Sequence, residues 1–198
     1  MSSLLNVLGG KPVIGAIRPG TLPGLSPDLL SLPQVFFLLE QDINALDMTL
    51  KALPINSASV FLHLDLLTGL SADQSGIRFL RNIYPSLLGV ISTRTRVLEL
   101  ARKVGFMTIL RLFLLDSESL ASGMKIVSRL QPDALEILPG IIFPGIKDLF
   151  VIDRIPPLIC GGFIRSPQEV RTIIQAGARA VSTSATELWI LNREEQLG

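Results

Sequence analysis

The sequence predicts a single (β/α)8 barrel of the TIM type, and three observations support that prediction. Eight short apolar runs recur along the 198 residues, with helical patterns between them, as expected for a parallel sheet with helices outside. Hydrophobic residues make up 48% of the chain and the mean hydropathy is +0.49, which suits strands buried on both faces. A glycine pair, Gly161-Gly162, and the run Ser182-Thr183-Ser184 follow the last two apolar runs, where barrels of this fold bind phosphate.

The predicted elements fill the chain from end to end. Strands are expected at residues 13–17, 35–39, 58–66, 88–91, 106–114, 134–138, 158–160 and 180–183. Helices are expected at residues 1–12, 26–31, 42–53, 73–82, 95–104, 116–130, 144–150, 166–176 and 185–191. We find no linker that would divide two domains, so we predict one domain over residues 1–198, with the barrel at about 13–192 and a lead-in helix before it.

Start and stop signals mark several of these helices. Asp42 and Asp116 stand where an N-cap is expected. Ser166 and Glu169 form a capping box, with Pro167 at the first helical position and Gly177 as the stop. The segment 19–33 is rich in Gly and Pro, so we expect a loop with at most a short helix there instead of a full first helix.

Composition narrows the classes of function and partner. With 18 basic and 17 acidic residues the net charge is +1, which gives no general attraction to nucleic acid. Cys160 is the one cysteine, so no internal disulfide forms, and we expect a protein of the reducing cytoplasm. No apolar run approaches the roughly 18 residues of a membrane helix, so no membrane partner is expected. A homo-oligomer is compatible with the sequence.

Polar residues fall at the predicted C-terminal strand ends, which carry function in this fold. We expect a phosphate to meet backbone N–H groups near Gly161, Gly162, Thr183 and Ser184, where glycine and a helix start leave those groups accessible. The other candidate ligand-binding residues are Arg18, Asp65, Ser92, Arg94, Glu136 and Gly140. Arg18 or Arg94 would add charge-assisted bonds. Asp65 would accept from a ligand hydroxyl or cap the next loop, and the sequence leaves both alternatives open.

Three charged or titratable residues are expected inside the barrel. His63 is predicted to be a hydrogen-bonded core histidine. Arg111 and Glu136 lie in the middle of strands, and because buried charges need partners, we expect them to pair with each other.

The sequence offers little catalytic equipment. A Schiff-base enzyme needs a lysine at a strand end, and all five lysines fall before the first strand or in predicted helices. With one histidine, a metal site is not expected, and no cofactor or catalytic residue is assigned. The alternative is a sugar-phosphate lyase or isomerase that uses Asp65 or Glu136 as its base, an analogy based on the fold.

Several distinctive strings occur in order over about residues 13–189. The most specific are Glu136-Ile-Leu-Pro-Gly-Ile141 and Ile91-Ser-Thr-Arg94. Others are Ala16-Ile-Arg18, Phe37-Leu-Leu39, Leu62-His-Leu-Asp-Leu66, Gly69-Leu70 with Asp73, Arg111-Leu-Phe113 with Asp116-Ser117, Gln131-Pro-Asp133, Gly161-Gly162 and Val181-Ser-Thr-Ser184 with Leu188-Trp189. Together these strings resemble the glycerol uptake operon antiterminator regulatory family. The departures are the loop 19–33, Gln41, Thr68 and Arg165.

The resemblance implies a (β/α)8 barrel that binds glycerol 3-phosphate, or a similar small phosphorylated metabolite, and acts on the leader of glycerol-gene messenger RNA to prevent early termination. The chain offers local support for an RNA partner in a basic cluster along the third and fourth helical units, at Arg78, Arg81, Arg94, Arg96, Arg102 and Lys103. A solvated helical face explains that cluster equally well. Aromatic residues are few, so contacts to RNA phosphates are expected to dominate.

Overall fold

A computed structural model of the chain, which describes residues 4–193, contains a closed barrel of eight parallel strands. Each strand pairs with the next along the chain, and β1 pairs with β8 to close the sheet. The predicted (β/α)8 fold is therefore confirmed. Residues 1–3 of the predicted lead-in helix, and residues 194–198 of the predicted domain, lie outside the described residues.

The strands are β1 Val13–Ile17, β2 Val35–Leu38, β3 Ser59–His63, β4 Leu87–Ser92, β5 Met107–Phe113, β6 Ala134–Leu138, β7 Leu158–Gly161 and β8 Ala180–Thr183. The α-helices are α1 Leu4–Leu8, α2 Pro27–Leu30, α3 Ile43–Ala52, α4 Gln74–Ile83, α5 Thr95–Lys103, α6 Ser117–Leu130, α7 Phe143–Ile146 and α8 Pro167–Gln175. Short 3-10 helices span Leu22–Gly24, Leu64–Leu66, Gly140–Ile142, Lys147–Leu149, Ile152–Arg154 and Thr186–Arg193.

Some predicted boundaries were wrong. The third strand was predicted to run through residue 66, but it ends at His63 and the chain turns into a 3-10 helix. Asp65 in that turn accepts hydrogen bonds from Ser92, the last residue of β4, and from Thr93 after it, which holds the chain in a turn. The predicted helix 144–150 is two short pieces, α7 and Lys147–Leu149, and the last predicted helix is a 3-10 helix.

The caps predicted from sequence are present. The side chain of Asp42 accepts from the N–H of Asn44, and Asp116 accepts from Ser119 at the start of α6. Ser166 and Glu169 form the expected capping box of α8. These caps fix where each helix begins after a strand, and so they fix the loops at the C-terminal end of the barrel.

The hydrophobic core has an inner and an outer part. The inner part fills the barrel with side chains such as Ile14, Phe37, Phe61 and Ile109. Leu4 and Leu8 of α1 join this inner cluster, so the lead-in helix covers the barrel at its N-terminal end. The larger outer part lies between the sheet and the helices.

The last 3-10 helix covers β1 where a full first helix is missing. Trp189 is fully buried, donates to the carbonyl oxygen of Thr183 at 3.1 Å and packs edge-on against Phe36. A Cβ on Gly15 would lie 3.0 Å from the Trp189 ring, so the absence of a side chain there permits this packing. Within the described part of the chain, no helix is long and apolar enough to cross a membrane.

Candidate functional site

A cavity of about 340 Å³ opens at the C-terminal end of the barrel and is called here the mouth cavity. Strand ends of β1, β5, β6 and β8 contribute to its lining, together with the loop after β7. Its polar lining includes Arg18, Arg111, Glu136, Arg165, Thr183 and Ser184. Five of the ten predicted ligand-binding residues line it: Arg18, Glu136, Gly162, Thr183 and Ser184.

A buried ion pair forms the floor of the mouth cavity. Nε of Arg111 lies 2.6 Å from Oε2 of Glu136, and the Ser182 hydroxyl donates to Oε1 of Glu136 at 2.6 Å. The two charged residues are neighbours in register on β5 and β6, and Glu136 is completely buried. The predicted pairing of Arg111 and Glu136 is therefore present. It uses Nε of Arg111, a residue that also lines the cavity.

Gly140 and Gly161 serve the packing around this floor. A Cβ on Gly161 would lie 2.5 Å from the Ser182 hydroxyl and 3.0 Å from Oε1 of Glu136. A Cβ on Gly140 would lie 2.6 Å from the backbone of Cys160 and Gly161. Neither glycine is among the residues that line the cavity, so the geometry gives both of them a role in close packing.

Gly162, Thr183 and Ser184 form the side of the cavity where a phosphate is predicted. Gly162 has a φ of +84°, a left-handed conformation that suits a residue without a Cβ. The Thr183 hydroxyl accepts from the N–H of Ala185 at 3.1 Å, one residue before the last 3-10 helix starts. Ser184 is exposed at the cavity edge.

Asp65 is the centre of a separate hydrogen-bond cluster. Its carboxylate accepts from the Ser92 hydroxyl at 2.6 Å, from the N–H and hydroxyl of Thr93 at 2.6 and 2.8 Å, and from Nε of Arg94 at 2.8 Å. Burial would raise the pKa of Asp65, but these hydrogen bonds outweigh it and the pKa lies below its usual value. None of Asp65, Ser92 and Arg94 lines the mouth cavity. Of the two alternatives for Asp65, the geometry favours the loop cap.

His63 is buried as predicted, but its predicted hydrogen bond is not found. Its Nδ1 has no hydrogen-bond partner among the described residues. Burial, with the positive charge of Arg111 as the next cause, lowers the pKa of His63 to about 4. The imidazole is therefore neutral at pH 7. It lies two residues after Phe61 on β3, which packs against Phe37.

Arg18 lies at the rim of the cavity and pairs with Glu40, which follows the end of β2. Both side chains are about half exposed. The sequence did not indicate this pair, because the two residues are 22 positions apart. The sequence also did not identify Arg111 and Arg165 as residues of the mouth cavity. The position of Arg165, three residues after the glycine pair on a strand-end loop, was the available signal.

The predicted basic cluster on α4 and α5 is smaller than its sequence suggests. Arg81 donates to the carbonyl oxygen of Leu87 and lies over the Phe106 ring. Arg102 donates to the carbonyl oxygens of Leu130 and Gln131, and Arg94 pairs with Asp65. Arg78, Arg96 and Lys103 remain as exposed cations.

The described residues offer neither a metal site nor a reactive thiol. No group of three or more His, Cys, Asp or Glu side chains there is placed to hold a metal ion. Burial, and then the negative charge of Glu136, raises the pKa of the Cys160 thiol. Cys160 is completely buried, so it acts as a small apolar core residue.

Comparison with known proteins gives consistent matches. The family model described as glycerol-3-phosphate responsive antiterminator matches residues 20–189. An uncharacterized Escherichia coli (strain K12) protein, YgcP, is 35% identical over 192 residues, which is 96% of this chain and 98% of that protein.

Two solved structures share the fold at appreciable identity. The glycerol uptake operon antiterminator regulatory protein of Listeria monocytogenes str. 4b F2365 is 31% identical with a TM-score of 0.78, and the match covers 90% of this chain and 95% of that one. A glycerol uptake operon antiterminator-related protein of Thermotoga maritima MSB8 is 29% identical with a TM-score of 0.77, over 90% of this chain and 98% of that one.

Proposed function

The chain belongs to the glycerol-3-phosphate responsive antiterminator family, and on that premise we propose that it binds glycerol 3-phosphate in the mouth cavity and, with the ligand bound, acts on the leader of messenger RNA from glycerol-utilisation genes. Such a regulator would work in the cytoplasm. The observation that supports the ligand most directly is the cavity itself, because its lining combines Gly162 and the segment Thr183-Ser184-Ala185 with three arginines and a single carboxylate.

The charges of the cavity suit a phosphate monoester. Arg111 is compensated by Glu136, and Arg18 pairs with Glu40, which does not line the cavity. Arg165 also lines the cavity and forms no ion pair with another described side chain. A phosphate monoester carries about −1.5 to −2 at pH 7. In the proposed pose the phosphate lies against Gly162, Thr183 and Ser184, where backbone N–H groups and hydroxyls are at hand. The glycerol hydroxyls then lie toward Arg111 and Glu136 on the floor.

The two residues considered as enzymatic bases are poorly suited to that role. Asp65 lies outside the cavity, and its hydrogen bonds lower its pKa, which weakens it as a base. Glu136 already accepts from Arg111 and Ser182. No lysine lines the mouth cavity. These contacts favour a ligand-binding regulator over the alternative of a sugar-phosphate lyase or isomerase.

Calorimetry with glycerol 3-phosphate and with glycerol tests the ligand. We expect heat of binding with the phosphate ester and none with glycerol at the same concentration. Ser184→Asp places a negative charge beside the proposed phosphate position and should weaken binding about tenfold or more. Ser122→Asp is the matched control, because Ser122 is exposed in the middle of α6. Equal binding of the two compounds, or equal effects of the two variants, would contradict the proposed site.

Fluorescence anisotropy tests the RNA partner. The cognate leader RNA and a scrambled RNA are titrated with and without glycerol 3-phosphate, at two salt concentrations. We expect tighter binding to the leader when ligand is present, and weaker binding at high salt because phosphate contacts release counterions. If the leader and the scrambled RNA bind equally and the ligand changes neither, a ligand sensor with a protein partner becomes the better description.

A further inference from the structure

Arg18 stands between two cavities at the rim of the barrel. One is the mouth cavity. The other is a mainly apolar groove of about 400 Å³ between the loop after β1 and α3, lined in part by Leu22, Ala45 and Met48. Arg18 lines both cavities, whereas Glu40 lines the groove and not the mouth cavity. Arg18 thus lies at the border of the two cavities, and its ion-pair partner lies on the side of the groove.

The backbone fixes the two partners side by side. The last residues of β1 and β2 are in register, and the N–H of Leu39 donates to the carbonyl oxygen of Ile17 at 2.8 Å. Glu40 follows with a φ of +53°, a left-handed conformation that few residues with a side chain adopt. Nη1 of Arg18 donates to Oε1 of Glu40. Because both backbones are held, the ion pair can break only through rotation of the two side chains.

Arg165 contrasts with Arg18. It lines the same mouth cavity but forms no ion pair with another described side chain. The carboxylate beside it, Glu169, accepts from the N–H groups of Arg165 and Ser166 at 2.7 and 3.0 Å. An anion in the mouth cavity thus meets one arginine without an ion-pair partner and one that already has a carboxylate bound.

We propose that Glu40 competes with the bound anion for Arg18 and thereby sets the affinity of the mouth cavity, as a residue that never contacts the ligand. This inference rests on the proposed function, since it requires a phosphate-bearing ligand in that cavity. When the phosphate arrives, Arg18 leaves Glu40 and turns inward. The measured affinity for the anion is lower than it would be without Glu40, because breaking the contact between Arg18 and Glu40 costs free energy.

The size of the effect follows from the exposure of the pair. Ion pairs between half-exposed side chains are weak, and losing one corresponds to a change of about two- to fivefold in an equilibrium constant. Glu40→Gln keeps the size of the side chain and removes its charge. We therefore expect Glu40→Gln to bind glycerol 3-phosphate and inorganic phosphate about two- to fivefold more tightly than the unaltered protein.

The test is a double-mutant cycle measured by calorimetry with both probes. Arg18→Gln should weaken binding, and Glu40→Gln should have no further effect when Arg18 is already Gln, because the contact it would remove no longer exists. Glu99→Gln is the matched control. Glu99 is exposed on α5 and does not line the mouth cavity, and its substitution changes the net charge by the same amount. The affinity of the Glu99→Gln variant for both probes should therefore equal that of the unaltered protein.

The outcomes separate this inference from the proposed function. If glycerol 3-phosphate binds and Glu40→Gln leaves the affinity unchanged or weakens it, Glu40 is no competitor and the inference fails while the function stands. If Glu40→Gln tightens anion binding equally in the unaltered protein and in the Arg18→Gln variant, Glu40 repels the anion directly. That result also overturns the inference. If neither probe binds any variant, the proposed ligand fails and the inference fails with it.

Discussion

Glu136 lies completely buried on the cavity floor and depends on Arg111 for its compensating charge. A buried carboxylate that loses its cation cannot recover the hydration it gave up on folding. We therefore expect Arg111→Met to lower the free energy of unfolding by about 3–5 kcal/mol, as measured by urea denaturation. Removing both charges should cost much less, because a pair of apolar side chains leaves no uncompensated charge.

The control for this prediction is Arg129→Met, an exposed arginine near the end of α6. A surface change of this kind usually alters the free energy of unfolding by about 0.5 kcal/mol or less. If Arg111→Met costs no more than Arg129→Met, the buried pair contributes nothing to stability. If the double variant Arg111→Met with Glu136→Leu is as unstable as the single one, packing rather than charge accounts for the loss.

His63 gives the protein a defined pH dependence. Its pKa is about 4 in the folded protein and 6.5 ordinarily, so below pH 6.5 the unfolded chain binds more protons and stability falls as the pH falls. Between pH 7 and pH 5 the expected loss is about 2 kcal/mol. The chain has no second histidine. The charge of the neighbouring Asp65 stays constant in this interval, since its pKa is lowered.

Urea denaturation at pH 7 and pH 5 checks this dependence, with His63→Gln as the comparison. The variant retains a polar side chain of similar size but has no proton to gain. Its free energy of unfolding should change little between the two pH values. A loss in His63→Gln as large as that of the unaltered protein would show that His63 is not the group responsible.

At the scale of elements, helix α6 ends on a residue that is not a glycine where glycine is favoured. Gln131 has a φ of +48° and is exposed, a left-handed conformation that costs a residue with a Cβ about 1–2 kcal/mol. Gln131→Gly removes that cost and keeps the carbonyl oxygen to which Arg102 donates. We expect a net gain of about 0.5–1 kcal/mol in the free energy of unfolding, after the larger chain entropy of glycine is counted.

Gln175→Gly provides the same substitution in an ordinary helical conformation. Gln175 is the last residue of α8 and is exposed. Glycine there should lower the free energy of unfolding by up to about 1 kcal/mol. Opposite signs for the two variants in urea or thermal denaturation would support the conformational explanation, whereas a loss in both would contradict it.

The sequence predicts the elements of this molecule well wherever the signal is local. The cap of α6 at Asp116 and the capping box of α8 depend on residues three positions apart, and a short apolar run marks each of the eight strands. The contacts at the C-terminal end of the barrel are not local. Arg18 meets Glu40 at a separation of 22, and in the neighbouring cluster Asp65 accepts from residues 27 to 29 positions away. Local patterns did not predict these contacts, whereas the pair of Arg111 and Glu136, 25 positions apart, was predicted because buried charges need partners.

The segment that replaces a full first helix also shows which features can be predicted locally and which depend on closure of the barrel. Proline and glycine between residues 19 and 33 predict a loop, and a loop with only short helical turns is present. That Trp189 then covers β1, against a glycine at position 15, follows from the meeting of β1 with β8 on closure. The resemblance in sequence extended to Leu188-Trp189, but the contact itself is a property of the closed sheet.

At the scale of the whole molecule, ligand binding should raise stability by mass action. A ligand that binds only the folded barrel adds about 2.7 kcal/mol at a concentration one hundred times its dissociation constant. For a chain of this length that corresponds to a rise of about 5–10 °C in Tm. Thermal denaturation with glycerol 3-phosphate should show this rise and with glycerol should not. A rise of the same size in Ser184→Asp would place the ligand outside the mouth cavity.

The binding of RNA and the binding of glycerol 3-phosphate should also be thermodynamically linked. If glycerol 3-phosphate tightens binding of the leader RNA by some factor, then saturating leader RNA must tighten binding of glycerol 3-phosphate by the same factor. Calorimetry of the ligand with and without leader RNA gives one factor, and anisotropy of the RNA with and without ligand gives the other. The net charge of +1 supplies little general attraction, so a scrambled RNA should leave the ligand affinity unchanged.

Two factors that agree support a regulator in which ligand and RNA share one folded state. A ligand affinity that leader RNA leaves unchanged means that the two sites are not coupled, and the proposal of a ligand-dependent RNA regulator then fails.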